Sequence, residues 1–465
     1  MIGMKKFKVS PPVSVARSEY FFGDSRDRRD EFLYLGKLAE LGPSAKVFLD
    51  ISGKHVLAIV GKRGSGKSYT LGSLIEGLCT KQTATSIGQI SRKRAVLLFD
   101  TLNIFWTTAV KLGPDLPTET LQEQSRNLKG WDINPEDLDT QMWVPAGHRT
   151  LGMPSTFCDF RLDTADFSGA DWGSLLGVDI LQDRMGQLVN DAFQKVTQEG
   201  WNGPRGVIAP KSPYCILDLL DCVRQDNDIQ RSYHAETIRA IVQQLNYWNR
   251  NPVFSSGGTK LTDFLVPGRL SVILTASLSE ELRSTLVAVM VRKIMRARGE
   301  ASFDKKRLKV DPSLTRAEEE AIAARLQSSV PPTWLMVDEA QNVIPSGRGV
   351  TCLQALIRLV KEGRNSGLSF AFTTQQPSAI ENQIMSQVDT LIVHKLAVQG
   401  DIDEVRRNLK SSDPTEIRYG SVDLSLASLL RSLDMGQAVV SSTEMERYFI
   451  LDIRPRVSAH GGFEA

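Results

Sequence analysis

Eight consecutive residues carry the clearest chemistry in this chain: Gly61-Lys62-Arg63-Gly64-Ser65-Gly66-Lys67-Ser68. They follow the apolar run HVLAIV and precede YTLGSLIEGLC, which reads as a helix packed through Leu71, Leu74, Ile75 and Leu78. The glycines let the backbone curl so that its N–H groups face a phosphate, and the helix start adds its positive end. Lys67 is spaced to reach the β- and γ-phosphates, and the Ser68 hydroxyl to complete a Mg²⁺ shell. A strand in front and a helix behind argue against an idle glycine-rich turn. The expected nucleotide-binding set is Gly61, Arg63, Gly64, Ser65, Gly66, Lys67, Ser68 and Tyr69.

A phosphate loop needs a distant acidic partner. In TWLMVDEAQ a buried strand ends in Asp338 and Glu339. Asp338 can hold Mg²⁺ through water, and Glu339 can polarise the water that attacks a γ-phosphate. Alone, such acids suit helix capping equally well; beside a phosphate loop the catalytic reading prevails. The adjacent carboxylate points to hydrolysis, and no HRD-type kinase loop is present. Gln375, in FAFTTQQPS, ends another buried strand, where its amide can touch the γ-phosphate or its water. The alternative is a turn residue before Pro377. Arg364, in KEGRNSGLS, stands at a helix end. There it either compensates the helix dipole or acts as an arginine finger on the next subunit's γ-phosphate, and spacing does not choose.

The elements that must position these groups are α/β in texture. After the polar residues 1–30, FLYLGKL, AKVFLDI and HVLAIV read as strands, and KRAVLLFDTLNIFW as a buried strand ending at Asp100. Strand, loop, helix and strand in that order predict a mainly parallel sheet. Residues 107–264 differ: the short strands QMWVPA and FCDFRL lead into helical patterns. Leu181, Met185, Leu188, Ala192, Phe193 and Val196 share one helix face; Ile238, Ile241, Val242, Leu245 and Trp248 share another. The α/β texture returns with GRLSVILTASL, a helix through SEELRSTLVAVMVRKIMRAR, the acid strand, a helix on Leu353, Leu356, Ile357 and Val360, and the strands LSFAFTTQQ and TLIVHKL. A terminal hairpin, GQAVVSS then RYFILDI, closes the chain. The expected division is an N-terminal segment 1–54 with a short β-element, a core 55–465 interrupted by a largely helical insertion at about 175–262, and an extension 454–465.

A chain of 465 residues is about three times the usual domain size. The 56 Lys and Arg against 54 Asp and Glu leave +2, which excludes a polycation that coats nucleic acid. A locally basic channel stays open, because distribution sets a local field. Basic clusters occur in SRKRA, VRKIMRAR and KKRLK, and Arg250 and Lys260 are candidate pore positions. The start MIGMKKFKVSPPV has no apolar stretch behind its lysines, and no uncharged run approaches the roughly 18 residues that cross a bilayer. The five cysteines show no metal-ligand spacing and read as reduced, buried thiols. A cytoplasmic protein is expected.

Taken in order, GKRGSGKSYTLG, LLFDTLN, GRLSVILTASLSEELRSTLVAVMVRKI, LMVDEAQNVIP, KEGRNSGLSFAFTTQQPS and the terminal IRPRVSAHGG resemble the HerA branch of the HerA/FtsK ATPases over roughly 55–460. The resemblance implies a RecA-like (ASCE) P-loop core, ATP and Mg²⁺ as cofactors, and a homo-hexameric ring that moves double-stranded DNA through its pore. It implies as partner a NurA-like nuclease or a defence effector with nuclease or sirtuin-like activity. A ring scaffold that assembles an effector, with DNA movement secondary, is the alternative. By the same resemblance Arg364 takes the intersubunit arginine position, Gln375 the sensor position, and Arg456 and His460 of the tail approach a nucleotide. Read alone, His460 is an ordinary tail histidine. Two departures stand out: only about 60 residues precede the phosphate loop, so an N-terminal barrel would be shortened, and Arg63 stands where the family often has Thr. Its guanidinium has phosphate, a neighbouring subunit or solvent open to it.

Overall fold

The computed structural model describes residues 19–22, 31–39, 45–113, 116–346, 351–409, 417–419, 422–443 and 449–462. Its main sheet is built from β1 (Glu19–Phe22), β2 (Phe32–Leu38), β3 (Lys46–Asp50), β4 (Val56–Val60), β5 (Ala95–Asp100), β6 (Thr140–Pro145), β7 (Cys158–Phe160), β8 (Leu270–Leu274), β9 (Thr333–Val337), β10 (Leu368–Thr374), β11 (Thr390–Val393), β12 (Gln437–Ser442) and β13 (Phe449–Ile453). They lie in the order β1-β3-β2-β13-β12-β11-β4-β10-β9-β5-β8-β6-β7. From β11 to β7 every neighbour is parallel. One strand, β10, therefore separates the strand before the phosphate loop from the strand before the two acids. This is the RecA-like arrangement expected of the core.

The burial of both faces explains why these strands read as continuous apolar runs. On β4, Val56, Ala58 and Val60 enter one core, while Leu57 and Ile59 enter the other. The second core is closed by α1 (Lys67–Leu78) through Leu71, Leu74, Ile75 and Leu78. The first is closed by α5 (Glu280–Val310) and α6 (Thr351–Glu362), and by α2 (Arg184–Gln194), α3 (Ile216–Gln225) and α4 (Ala235–Asn249). The terminal hairpin forms as expected, β12 antiparallel to β13. Strand β13 also pairs with β2, so the N-terminal strands extend the core sheet.

Ahead of α2 the chain is held to α5 by ion pairs from Arg292 to the buried Asp171 and from Lys293 to Asp166. Two details differ from the sequence pattern. Leu181 is 76% exposed. The Asp179 carboxylate accepts the N–H groups of Leu181 and Gln182, making a turn there, and α2 starts only at Arg184. Cys79, Cys222 and Cys352 are buried, but Cys158 is exposed and Cys215 half-buried. Cys158 faces outward because β7 lies at the end of the sheet. No described helix is long and apolar enough to cross a membrane.

Candidate active site

The phosphate loop leaves β4 between two neighbours. The Gly61 N–H donates to the Thr374 carbonyl of β10 at 3.2 Å, and the Lys62 N–H to the Lys395 carbonyl after β11 at 2.8 Å. Gly64 and Gly66 have φ of +74° and +106°, conformations that other residues reach only with strain. Gly66 caps α1 with no side chain, and no acidic residue occupies the first turn. The positive helix end is thus left for an external anion. Lys67 is buried beside it, its Nζ 3.3 Å from the Lys62 carbonyl and 3.7 Å from Glu339 Oε1. Burial lowers its pKa, while Glu339 and Asp338 oppose that shift. Ser65 braces the loop, its hydroxyl donating to the Lys62 carbonyl at 2.7 Å. Arg63 is exposed.

Both acids sit at the end of β9. Asp338 is 0% exposed and accepts the Ser68 hydroxyl at 3.1 Å and the Thr373 hydroxyl at 2.6 Å. Burial, with Asp100 and Glu339 as like charges nearby, pushes its pKa up to about 7. Asp100, at the end of β5, is itself raised to about 6 by burial despite several backbone N–H donors. A buried carboxylate short of positive charge, with a serine hydroxyl beside it, suits Mg²⁺; Ser68 and Asp338 are the residues that would hold it.

Glu339 has a φ of +54° and is nearly buried. Its N–H donates to the Thr373 hydroxyl at 2.9 Å, its Oε1 accepts Gln375 Nε2 at 2.7 Å, and its Oε2 accepts Gln341 Nε2 at 2.7 Å. Lys67, Ser68, Asp338, Glu339 and Gln375 are thereby brought together. Thr373, Gln341, Asp100 and His394 were not singled out in the sequence. Asp100 had a signal, since LLFD ends as LMVD does. His394, just after β11, is buried, with Nε2 2.8 Å from Thr70 Oγ1 and Nδ1 2.8 Å from the Gln437 carbonyl. A carbonyl can only accept, so Nδ1 carries the proton and Nε2 accepts from Thr70.

Arg364 lies elsewhere. It occupies the turn Gly363–Ser366 before β10, at the ends of the strands opposite the phosphate loop. The seven residues of β10 separate it from Gln375, roughly 20 Å at about 3.3 Å per residue. Its guanidinium, 48% exposed, pairs with Asp389 at 2.6 Å.

The tail lies against α1 rather than inside the phosphate loop. Arg456 is buried and donates from Nε to Glu76 Oε1 at 3.1 Å, while Arg454 holds Oε2 at 3.1 Å. The Val457 and Ser458 N–H groups, each at 3.0 Å, and the Ser458 hydroxyl at 2.6 Å also donate to Glu76. The guanidinium expected to approach a nucleotide is therefore committed to a carboxylate nine residues beyond Lys67. A Cβ on Gly72 would lie 2.6 Å from that guanidinium carbon, so a larger residue there would have to shift Arg456 against Glu76. Tyr69 connects tail and loop: its hydroxyl accepts the Arg456 N–H at 2.8 Å, and its ring meets His460 edge-on at 5.2 Å. Of the basic clusters, Arg94 is buried against Glu31 at 2.5 Å, and Arg292 and Lys293 are paired with Asp171 and Asp166.

Residues 33–294 match the family model of the helicase HerA central domain, more than half of the 465 residues. Over 441 residues the chain is 21% identical to the DNA double-strand break repair helicase HerA of Pyrococcus furiosus, covering 92% of this chain and 71% of that one. The protein of the same description from Sulfurisphaera tokodaii is 24% identical over 225 residues, 48% of this chain and 39% of its own. Among solved structures, VirB4 of Thermoanaerobacter pseudethanolicus shares the fold with a TM-score of 0.50 at 13% identity, covering 92% of this chain and 97% of that one. A phosphate loop facing paired acids across one intervening strand, and a family match over most of that core, lead to one assignment: the chain belongs to the HerA helicase family of ATP-hydrolysing P-loop enzymes.

Proposed function

We propose that this protein is one subunit of a homo-hexameric motor that uses ATP to move double-stranded DNA, serving a partner nuclease of the NurA kind or another defence effector in the cytoplasm. The observation that supports this reading is the division of its catalytic groups. Lys67, Ser68, Asp338, Glu339 and Gln375 converge at one end of the sheet, while Arg364 stands at the other end. In a subunit so built an arginine finger would have to act on a neighbour's nucleotide, which suits a ring.

In turnover, Lys67 exchanges Glu339 for the β- and γ-phosphate oxygens. Gln375 turns from Glu339 Oε1 towards the γ-phosphate, and the freed oxygen takes a proton from the attacking water. Mg²⁺, when bound by Ser68 and Asp338, neutralises phosphate charge. Tyr69 stands beside the loop as a nucleotide contact, with His460 behind it.

The test is DNA-stimulated ATP hydrolysis and displacement of a DNA-bound roadblock by the ring with its partner. Lys67→Ala should abolish both, and Glu339→Gln should bind ATP without turning it over. Hydrolysis indifferent to DNA, with no roadblock displaced, would replace the motor with the scaffold reading. Normal turnover by Lys67→Ala would remove the phosphate-loop assignment itself.

A further inference from the structure

Glu339 is held by three donors, and two of them have other work in the proposed reaction. Lys67 and Gln375 are both redirected towards phosphate when ATP binds. Gln341 is not. It sits in the short turn Ala340–Asn342 directly after Glu339, and its side chain runs back to the carboxylate.

The orientation of that amide follows from its surroundings. The Thr374 hydroxyl accepts the Gln376 N–H at 3.1 Å and lies 2.9 Å from Gln341 Oε1. The Gln341 oxygen can only accept, so the hydroxyl proton points at it. The Glu339 carboxylate also only accepts, so Nε2 rather than Oε1 must face its Oε2, 2.7 Å away, and that choice leaves Oε1 for the Thr374 hydroxyl. Thr374 is fully buried at the end of β10, so the anchor belongs to the rigid sheet rather than to a loop. The Glu339 backbone, at a φ of +54°, lies in a region that a glutamate occupies at a cost.

We propose that Gln341 is the positioning residue of the hydrolytic base: anchored by Thr374, it holds Glu339 Oε2 throughout turnover while Lys67 and Gln375 leave for the phosphates. This rests on the reading of Glu339 as the group that activates water. A glutamine is required at the position. An asparagine is one methylene short of both partners, and an ionised glutamate has no proton to donate and repels Glu339.

The experiment uses the full-length protein, with ATP, Mg²⁺ and duplex DNA, and measures kcat and KM alongside binding of a non-hydrolysable ATP analogue. Gln341→Ala should lower kcat about 10- to 100-fold, the scale of a misplaced catalytic group, with KM and analogue affinity within about two-fold. Gln341→Asn should recover none of the loss. Thr374→Val should reproduce the defect, and Thr374→Ser, which keeps the hydroxyl, should recover turnover relative to it. The double variant Gln341→Ala/Thr374→Val should be no slower than the worse single variant, as expected of one relay. Wild-type kcat in Gln341→Ala overturns the proposal, as does a fall in kcat matched by lost analogue binding and lost thermal stability. A Glu339→Gln control identifies the level of failure. If it hydrolyses ATP normally, the base assignment falls. If it is inactive while Gln341→Ala is not, only the positioning role falls.

Discussion

Arg364 Nη2 lies 2.6 Å from Asp389 Oδ2, and the pair sits where β10 and β11 begin, at the end of the sheet away from Lys67. The dipole-compensating role at the end of α6 and the role of a finger for a neighbour were equally compatible with the sequence. The sheet separates Arg364 from its own subunit's nucleotide loop and leaves its guanidinium half-exposed, so the finger role requires a second subunit.

Arg364→Ala should accordingly leave nucleotide affinity unchanged and reduce turnover by roughly 10³-fold, the scale of a lost arginine finger. Mixing it with Glu339→Gln subunits creates interfaces with an intact base on one side and an intact arginine on the other. Hydrolysis should reappear in such mixtures; its absence at every ratio would rule out action in trans.

Glu76 is a buried carboxylate in an otherwise apolar stretch of α1. Burial acts to raise its pKa, but Arg456 and Arg454 outweigh that and hold it below the usual range. Its contribution is thus complete above the ordinary carboxylate pKa and is lost as pH falls through the depressed folded value. Glu76→Gln strands two buried guanidinium groups and should cost about 3–5 kcal/mol. Chemical denaturation at neutral pH measures this, and a loss below about 1 kcal/mol, the level of an exposed pair, would mean the cluster is unimportant.

His394 is pushed down to about 4 chiefly by burial, with the Gln437 carbonyl opposing and Lys67 assisting. Between the unfolded value near 6.5 and the folded value, only the unfolded chain takes up the proton. Stability from this residue is therefore whole above pH 6.5 and declines as pH falls to 4, by roughly 3 kcal/mol at most. His394→Gln should have a shallower decline than the parent in urea denaturation across that range. Parallel curves would contradict the assignment.

Arg292 and Lys293 belong to a basic cluster that continues a helix, where the ordinary reading of such charges is a solvated face and DNA contact the sharper one. Their pairing with Asp171 and Asp166 predicts a different phenotype. Arg292→Ala should destabilise the protein by about 2 kcal/mol, because Asp171 stays buried. The slope of DNA affinity against salt should be unchanged, whereas a residue that touches phosphate would reduce it by about one. The two outcomes are separable by limited proteolysis and a salt titration.

What the sequence determined by itself was local. A strand, a glycine-rich turn and a helix are consecutive, so Gly61 to Ser68 could be assigned a chemistry without knowing any neighbour. The same holds for Asp338 and Glu339 at the end of TWLMV and for Gln375 at the end of LSFAFTT. Apolar runs buried on both faces announced the parallel core. Periodicity reports that a face is buried, however, and not what covers it. Strand order alone brings Thr373 to Asp338, Gln341 to Thr374 and β2 to β13, and removes Arg364 from its own active site. Glu76 could be noticed among Leu74, Ile75 and Leu78, but its partners Arg454 and Arg456 lie nearly 400 residues away. Only a folded chain places such groups within the 3 Å over which a buried charge can be compensated.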